Sequence, residues 1–522
     1  MAAHVYGLPV AAAEAFTGSR ADAYPGMMKP FADAALALGI NRFVVLAYVH
    51  QPWDDRWPGV SQDRFYVPYQ RHNTWWEDSK DFWISLARSS QVMRQGHAVA
   101  DVLYHIGNDT PLKVATSRLR PVPPAGYDYD VCGDEVLINR VRVKDGRIVL
   151  PDGMSYRILI LAGGNRMTLA SAEKIRALIR AGANVLGPAK LTGSPALTDG
   201  ENGDSEVRKI ADELWGANFK PAKGENHFGA GRMFWGMTPA EVLAALDTPR
   251  DWEMNGGVDA TSWLCAHRQT PDADYYFVAN HQARAVKISA TFRASGKTAE
   301  RWDADTGTIS AIAGRRESGG RTQVPLTLEA NASTFVVFRK QTNSEPSYPQ
   351  AETKLIGDLP VRMNLSGPWT VRFTPNWGAP EQVTFTHLIS WAEHPDAGVR
   401  NYSGAAIYLK EFDFPAWRPG ERIVLSLGKV SVLAAVKLNG RDLGMIWKEP
   451  YALDLTGALR AGKNMLEIRV ENLWVNRLIA DSALPPEKRL TWVTWNPFHT
   501  NDARLPSGLL GPVTILTESK SK

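Results

Sequence analysis

The chain has 522 residues, 44% of them hydrophobic and 22% charged, with 18 tryptophans and a formal net charge of +4. Such a length exceeds one hydrophobic core and predicts about three or four domains. The small charge and the lack of dense Lys/Arg runs give no support to nucleic-acid binding, and no apolar run approaches the ~20 residues of a membrane span.

The first stretch, Val5 to Trp53, reads as strand, helix, strand. The first run closes on Ala13-Glu14-Ala15-Phe16-Thr17, and Pro9 weakens its start because proline donates nothing to a ladder. The spacing of Met27, Phe31, Ala34, Ala35 and Leu38 predicts an amphipathic helix over 27–38 that stops at Gly39. The run 43–49 is almost wholly apolar, as in a parallel strand covered by helices, and it leads into His50-Gln51-Pro52-Trp53. A second helix is expected from Asn73-Thr74 to Gly96, with Phe82, Trp83, Leu86 and Met93 on one face, and a third strand over 98–107.

Three strands joined by two helices suggest the C-terminal part of a (β/α) barrel over residues 1–110, well short of eight units. The missing units are expected upstream or on another polypeptide. In a barrel, chemistry collects after the carboxyl ends of the strands. Those ends carry Glu14, then His50 and Trp53, then Tyr104 and His105, while Trp75 and Trp76 lie between the second and third strands. A carboxylate beside loop tryptophans suits a pyranose ring, whose C–H faces stack on aromatic surfaces while its hydroxyls need partners. The plainer alternatives are a solvated Glu14, a strand-end histidine satisfied by the fold, and tryptophans that fill a core.

Residues 111–250 read as a small α/β layer domain of the flavodoxin-like kind. Pro121-Val122-Pro123-Pro124 is a connector, and Tyr127-Asp128-Tyr129-Asp130 an acidic aromatic cluster that could line the same cleft. Glu135 is a second candidate carboxylate, although Asp134-Glu135 equally suits the first turn of a short helix over 135–140. A strand at 156–161, a helix at 171–181 and a strand at 184–187 form a βαβ unit. Gly163-Gly164 follows the first of these strands, but the G-x-G-x-x-G pattern and the P-loop are both absent, which argues for a structural domain.

From 251 to 342 short strands, including 274–280, 286–290 and 333–338, predict a small antiparallel β domain, followed by a polar linker over 342–349. Residues 350–520 read as a jelly-roll β-sandwich, whose clearest element is a hairpin turning at Asn439-Gly440. Trp369, Trp391, Trp447, Trp474 and Trp495 either stack on sugar or, as is commoner, fill the space between sheets. The fold class expected is thus multidomain α/β plus all-β. Cys132 and Cys265 match no metal or redox spacing. No signal peptide is legible, since the N-terminus lacks a basic region and Pro9 and Glu14 interrupt its apolar stretch.

Glu14-Ala15-Phe16-Thr17, His50-Gln51-Pro52-Trp53, Thr74-Trp75-Trp76, 99–104 and Tyr127-Asp128-Tyr129-Asp130 together resemble the α-L-rhamnosidases of glycoside hydrolase family 106. The likeness continues through 150–156, Tyr402-Ser403-Gly404, Leu438-Asn439-Gly440 and 471–478, and so spans nearly the whole chain. It implies an inverting, calcium-assisted hydrolase of terminal α-L-rhamnosides, acting on a rhamnose-containing glycoside or polysaccharide. By position Glu14 matches the general base, and the family's general acid lies further upstream than any residue here. The calcium ligands are expected to be carboxylates and carbonyls without a position in this sequence. Full-length relatives are often exported to the periplasm or beyond the cell. A different class of reading is a non-catalytic carbohydrate-binding protein with a vestigial barrel.

Overall fold

A computed structural model describes residues 1–518 except 19, 63–68, 108–118, 217–218, 257–261, 341–347 and 351–353. Most of the expected 342–349 linker therefore lies outside the described residues. The fold is mixed and rich in sheet, and no closed barrel is present among the described residues. None of the described helices is long and apolar enough to cross a membrane.

The first unit is β1 (Ala12–Ala15), α1 (Pro25–Ala37) and β2 (Arg42–Val45). β1 and β2 pair in parallel, with Glu14 opposite Val44. Proline at N1 of α1 supplies a preset helical φ and gives up a donor that would have no partner there. The helix buries Met28, Lys29, Ala32, Asp33 and Leu36, not the stripe that the spacing suggested. Phe31 and Leu38 are 70% and 74% exposed, and Met27 is exposed too. Two stripes one position apart are both helical in period. The inward one wins because Lys29 and Asp33 neutralise each other at 2.6 Å and Lys29 also donates to Ser333. α2 (Lys80–Val92) begins after a 3₁₀ turn at Glu77–Ser79, later than Asn73-Thr74, and turns Phe82 and Leu86 inward.

The third expected strand divides in two. β3 (His97–Ala98) pairs with a strand of the following β region, and β4 (Val102–His105) enters a different sheet altogether. That sheet holds β4, β5 (Tyr129–Cys132), β6 (Ile158–Leu161), β7 (Asn184–Leu186), β8 (Gly224–Phe228) and β9 (Gly231–Trp235) in the order β8-β9-β7-β6-β4-β5, all parallel but β8. The helices are α3 (Asp134–Asn139), α4 (Leu169–Arg180) and α5 (Gly203–Trp215). All four residues of β4 and of β6 are buried, as expected of parallel strands covered on both faces. A run buried on both faces looks alike in a barrel and in an open sheet, so sequence alone placed β4 with β2.

Next come β10 (Trp252–Asn255), β11 (Trp263–Gln269), β12 (Ala273–Asn280), β13 (Val286–Phe292), β14 (Thr298–Trp302), β15 (Ile309–Ala311), β16 (Arg316–Ser318), β17 (Arg321–Leu328) and β18 (Ser333–Arg339). They make two antiparallel sheets, β10-β13-β17-β16 and β15-β14-β18-β12-β11-β3, around a core including Tyr276, Phe292 and Phe338. The outer face of the second sheet, through Phe277 and Phe335, packs with α1 and α2 in a shared cluster.

The C-terminal region is a two-sheet sandwich. One sheet is six-stranded and includes β19 (Ala405–Phe414), β20 (Leu433–Leu438), β21 (Arg441–Ile446) and β22 (Gly462–Glu471), and the other is four-stranded. Asn439 and Gly440 take φ of 54° and 80° between β20 and β21, the left-handed pair that a tight hairpin requires. Trp369, Trp391, Trp447 and Trp474 are buried in the cores and only Trp495 of the five is exposed.

Candidate active site and the family of the chain

β1 and β2 end side by side, so the loops that follow them share one rim. β1 alternates, with Ala12 and Glu14 exposed, and Arg42 and Val44 expose the same face of β2. Glu14 accepts a hydrogen bond from Thr17 Oγ1 at 2.6 Å. Immediately after the strand Phe16 holds φ of 58°, a left-handed conformation that costs an aromatic residue on the order of 1 kcal/mol or more and persists only where the surroundings enforce it. Here the Phe16 ring lies between Phe43 and Phe82, at 6.1 and 6.2 Å. The outcome is a carboxylate facing outward from a strand end that aromatic packing fixes.

The loop after β2 presents Tyr48 (68% exposed), His50 and Trp53 (40% exposed). Its shape comes from buried Gln51, which donates to Val60 O and accepts from Val60 N. Gly59, at φ +95°, has no room for a Cβ, which would fall 2.2 Å from Gln51 Oε1. Arg71 draws the same loop together through Gln51 O and Asp54. The C-terminal segment staples it. Trp492 N donates to Trp57 O at 2.7 Å, Ser61 N to Thr494 Oγ1 at 2.9 Å, and the Trp53 and Trp492 rings meet edge-on at 5.3 Å beneath the Arg56 guanidinium. An exposed indole next to polar groups is a surface on which a sugar ring can stack.

The remaining sequence candidates separate from this rim. Trp75 is completely buried and donates from Nε1 to Ala23 O, so no sugar reaches it. Trp76 is half-buried between Trp75 and Trp83. Tyr104 is completely buried on β4 and donates to Pro121 O. Asp130 is buried on β5, where it takes hydrogen bonds from Tyr156 OH and His4. Glu135 is exposed in the first turn of α3 and accepts from Tyr6 OH at 2.7 Å. Glu135 and Glu14 thus take different partners, Tyr6 and Thr17. His105 is buried at the end of β4 with Nε2 on Asp134 Oδ1 at 2.6 Å.

Sequence reasoning missed two buried groups. One is the pairing of His105 with Asp134, whose sole signal was an acid two residues after β5. The other is an ion network in which His267 lies between Asp251 and Asp274, with Arg293 linking Asp251 to Asp101 before β4. Burial works against a charged His267, but the two carboxylates overcome it and raise the imidazole to about 9. Among the described residues no group of three or more His, Cys, Asp or Glu side chains is arranged to hold a metal ion.

The chain thus combines a mixed fold with an outward carboxylate at a parallel strand end and exposed aromatic side chains in the adjoining loop. The chain belongs to glycoside hydrolase family 106, whose model, described as alpha-L-rhamnosidase, matches residues 1–316. The solved rhamnosidase from Novosphingobium sp. PP1Y is 33% identical and superposes with a TM-score of 0.87 over 99% of this chain and 48% of its own. A Formosa agariphila protein named "Putative beta-glucuronidase" is 25% identical over 756 aligned residues, which cover 98% of this chain and 63% of the relative. The chain thus spans about half the length of the solved rhamnosidase and less than two thirds of the curated relative.

Proposed function

We propose that the chain forms the general-base side of an inverting hydrolase of terminal α-L-rhamnosides, with Glu14 as the base. The observation that carries this is Glu14 itself: exposed at a parallel strand end, bonded to Thr17, and inside the stretch that matches the family. Inversion needs a carboxylate that activates water on one face of the ring and a carboxylic acid, roughly 6.5–9.5 Å away, that protonates the leaving oxygen on the other. Thr17 orients the Glu14 carboxylate by donating to Oε1, which leaves Oε2 for the water proton. Trp53 offers a stacking face and His50 a hydrogen-bonding edge on the next loop. Glu135 is already bonded to Tyr6 on another element, and the family resemblance places the acid upstream of these residues.

The test is hydrolysis of a chromogenic α-L-rhamnoside by the chain, alone and combined with the part of the barrel it lacks relative to the solved rhamnosidase, with and without calcium, beside Glu14→Gln. Loss of a general base typically costs about 10²–10⁴-fold. Proton NMR of the first-formed anomer reports inversion. Hydrolysis that survives Glu14→Gln overturns the assignment. Rhamnoside binding without hydrolysis in either format supports a binding protein instead.

A further inference from the structure

We propose that the cavity at the carboxyl ends of β4 and β6 binds a small hydroxylated anion, a sugar acid or a sugar phosphate. The inference is independent of the reading of Glu14.

The position follows from topology. From β4 the chain moves outward to β5 on one side, then returns to place β6, β7 and β9 on the other, so the strand order reverses between β4 and β6. The loops after those strands diverge there and leave a crevice, the usual ligand site of open parallel sheets. The crevice is a cavity of about 230 Å³ lined by residues that include His105, Gly107, Asp134, Gly163, Gly164 and Thr168. This is below the ~300–1,000 Å³ of larger ligand sites and too small for a dinucleotide, in keeping with the missing G-x-G-x-x-G.

The walls offer two kinds of unused polar group. His105 is 1% exposed, and with Nε2 engaged by Asp134 its buried Nδ1 has no partner. Leaving such an atom unsatisfied costs about 1–3 kcal/mol, which a ligand hydroxyl would recover. Asp134 accepts from Thr168 Oγ1 as well, so its carboxylate requires a proton on His105 Nε2 and leaves Nδ1 to meet that hydroxyl. The second kind is backbone. The N–H groups of Gly163, Gly164 and Asn165 make no hydrogen bond to described residues, and they lie in the loop that leads from β6 to α4. Gly164 sits at φ +86° with open space where a Cβ would be, a turn that gathers successive N–H groups toward an anion. Arg166 lines the cavity as well, with its guanidinium shared with Asp204.

The glycines fix how close the two loops come. A Cβ on Gly163 would lie 2.9 Å from Gly107 Cα and N, so the loop after β6 reaches the loop after β4 only because both positions lack side chains.

Calorimetric titration of the full chain with galacturonate, gluconate, glycerol phosphate and inorganic phosphate, with neutral rhamnose as control, tests this. At least one hydroxylated anion is expected to bind saturably at or below about millimolar concentration, and the carboxylate and phosphate arms say which source is preferred. Asn165→Asp, an exposed change that adds negative charge beside the free N–H groups, is expected to weaken binding at least tenfold without altering the melting temperature. His105→Gln is expected to do likewise. If His105→Gln does not fold, Asn165→Asp decides. Absence of saturable binding for every anion, preference for neutral rhamnose, or equal affinity in folded variants overturns the proposal.

Discussion

Replacing His267 by glutamine should remove a pH-dependent clamp. The imidazole donates to Asp251 from Nδ1 and to Asp274 from Nε2, so both nitrogens carry protons and the ring is an imidazolium. Tyr276 stacks on it at 3.9 Å. Its folded value of about 9 against an ordinary 6.5 corresponds to about 3 kcal/mol at 1.36 kcal/mol per pH unit. A raised value means that this stabilisation is fully present below pH 6.5, declines above it, and is lost as the pH passes about 9. His267→Gln keeps one donor but no charge, so its stability should be lower by about 3 kcal/mol at pH 6 and approach the parent by pH 10. Because a chain of several domains does not unfold in one step, the assay is hydrogen exchange of β11 and β12 amides, corrected for intrinsic rates, at several pH values in both proteins. Equal pH dependence in the two, or a His267 resonance that titrates near 6.5, refutes the reasoning.

Lys29→Met leaves Asp33 buried without its cation and should cost about 3–5 kcal/mol, whereas Lys29→Met with Asp33→Leu should recover most of it, both read by thermal melting. Asn439→Ala should cost about 2–4 kcal/mol, because it forces alanine to φ 54° and removes bonds from Asn439 to Ala458 O, Asn464 Oδ1 and Met465 N; Asn439→Gly should cost less. Glu471, which burial first and Asp78 second raise to about 9, is protonated at neutral pH, so Glu471→Gln should leave the melting temperature at pH 7 within a few degrees of the parent or above it. Trp53→Ala, on an exposed face, should weaken rhamnoside binding while leaving the circular dichroism spectrum unchanged.

Local signals carried the fold well wherever one element decides its own form. The Asn439-Gly440 hairpin, the helix after Thr168 and the strands at 273–280 and 333–339 all occur where turn chemistry and periodicity place them. Partnership was legible only in part. The run 102–105 is buried on both faces, and that holds equally beside β2 in a barrel or beside β6 in an open sheet. The face of α1 was misread because a buried lysine and aspartate look polar to any hydropathy pattern, while their pairing is a property of three-dimensional contact. For the site the division is the same. Glu14, His50 and Trp53 follow two adjacent strand ends and could be found from the strands, but the depth of Trp75 and Tyr104 depends on helices and loops far away in sequence.

The loop that carries His50 and Trp53 owes its conformation to residues more than 400 positions later. Trp492 and Thr494 supply backbone and side-chain partners to Trp57 and Ser61, and Trp474 Nε1 donates to His72 O behind them at 2.8 Å. An exposed loop closed only by its own sequence would sample many conformations, and each added long-range bond of about 1 kcal/mol narrows that set. Through the 490–494 segment the C-terminal part of the chain therefore helps to hold the loop that carries His50 and Trp53.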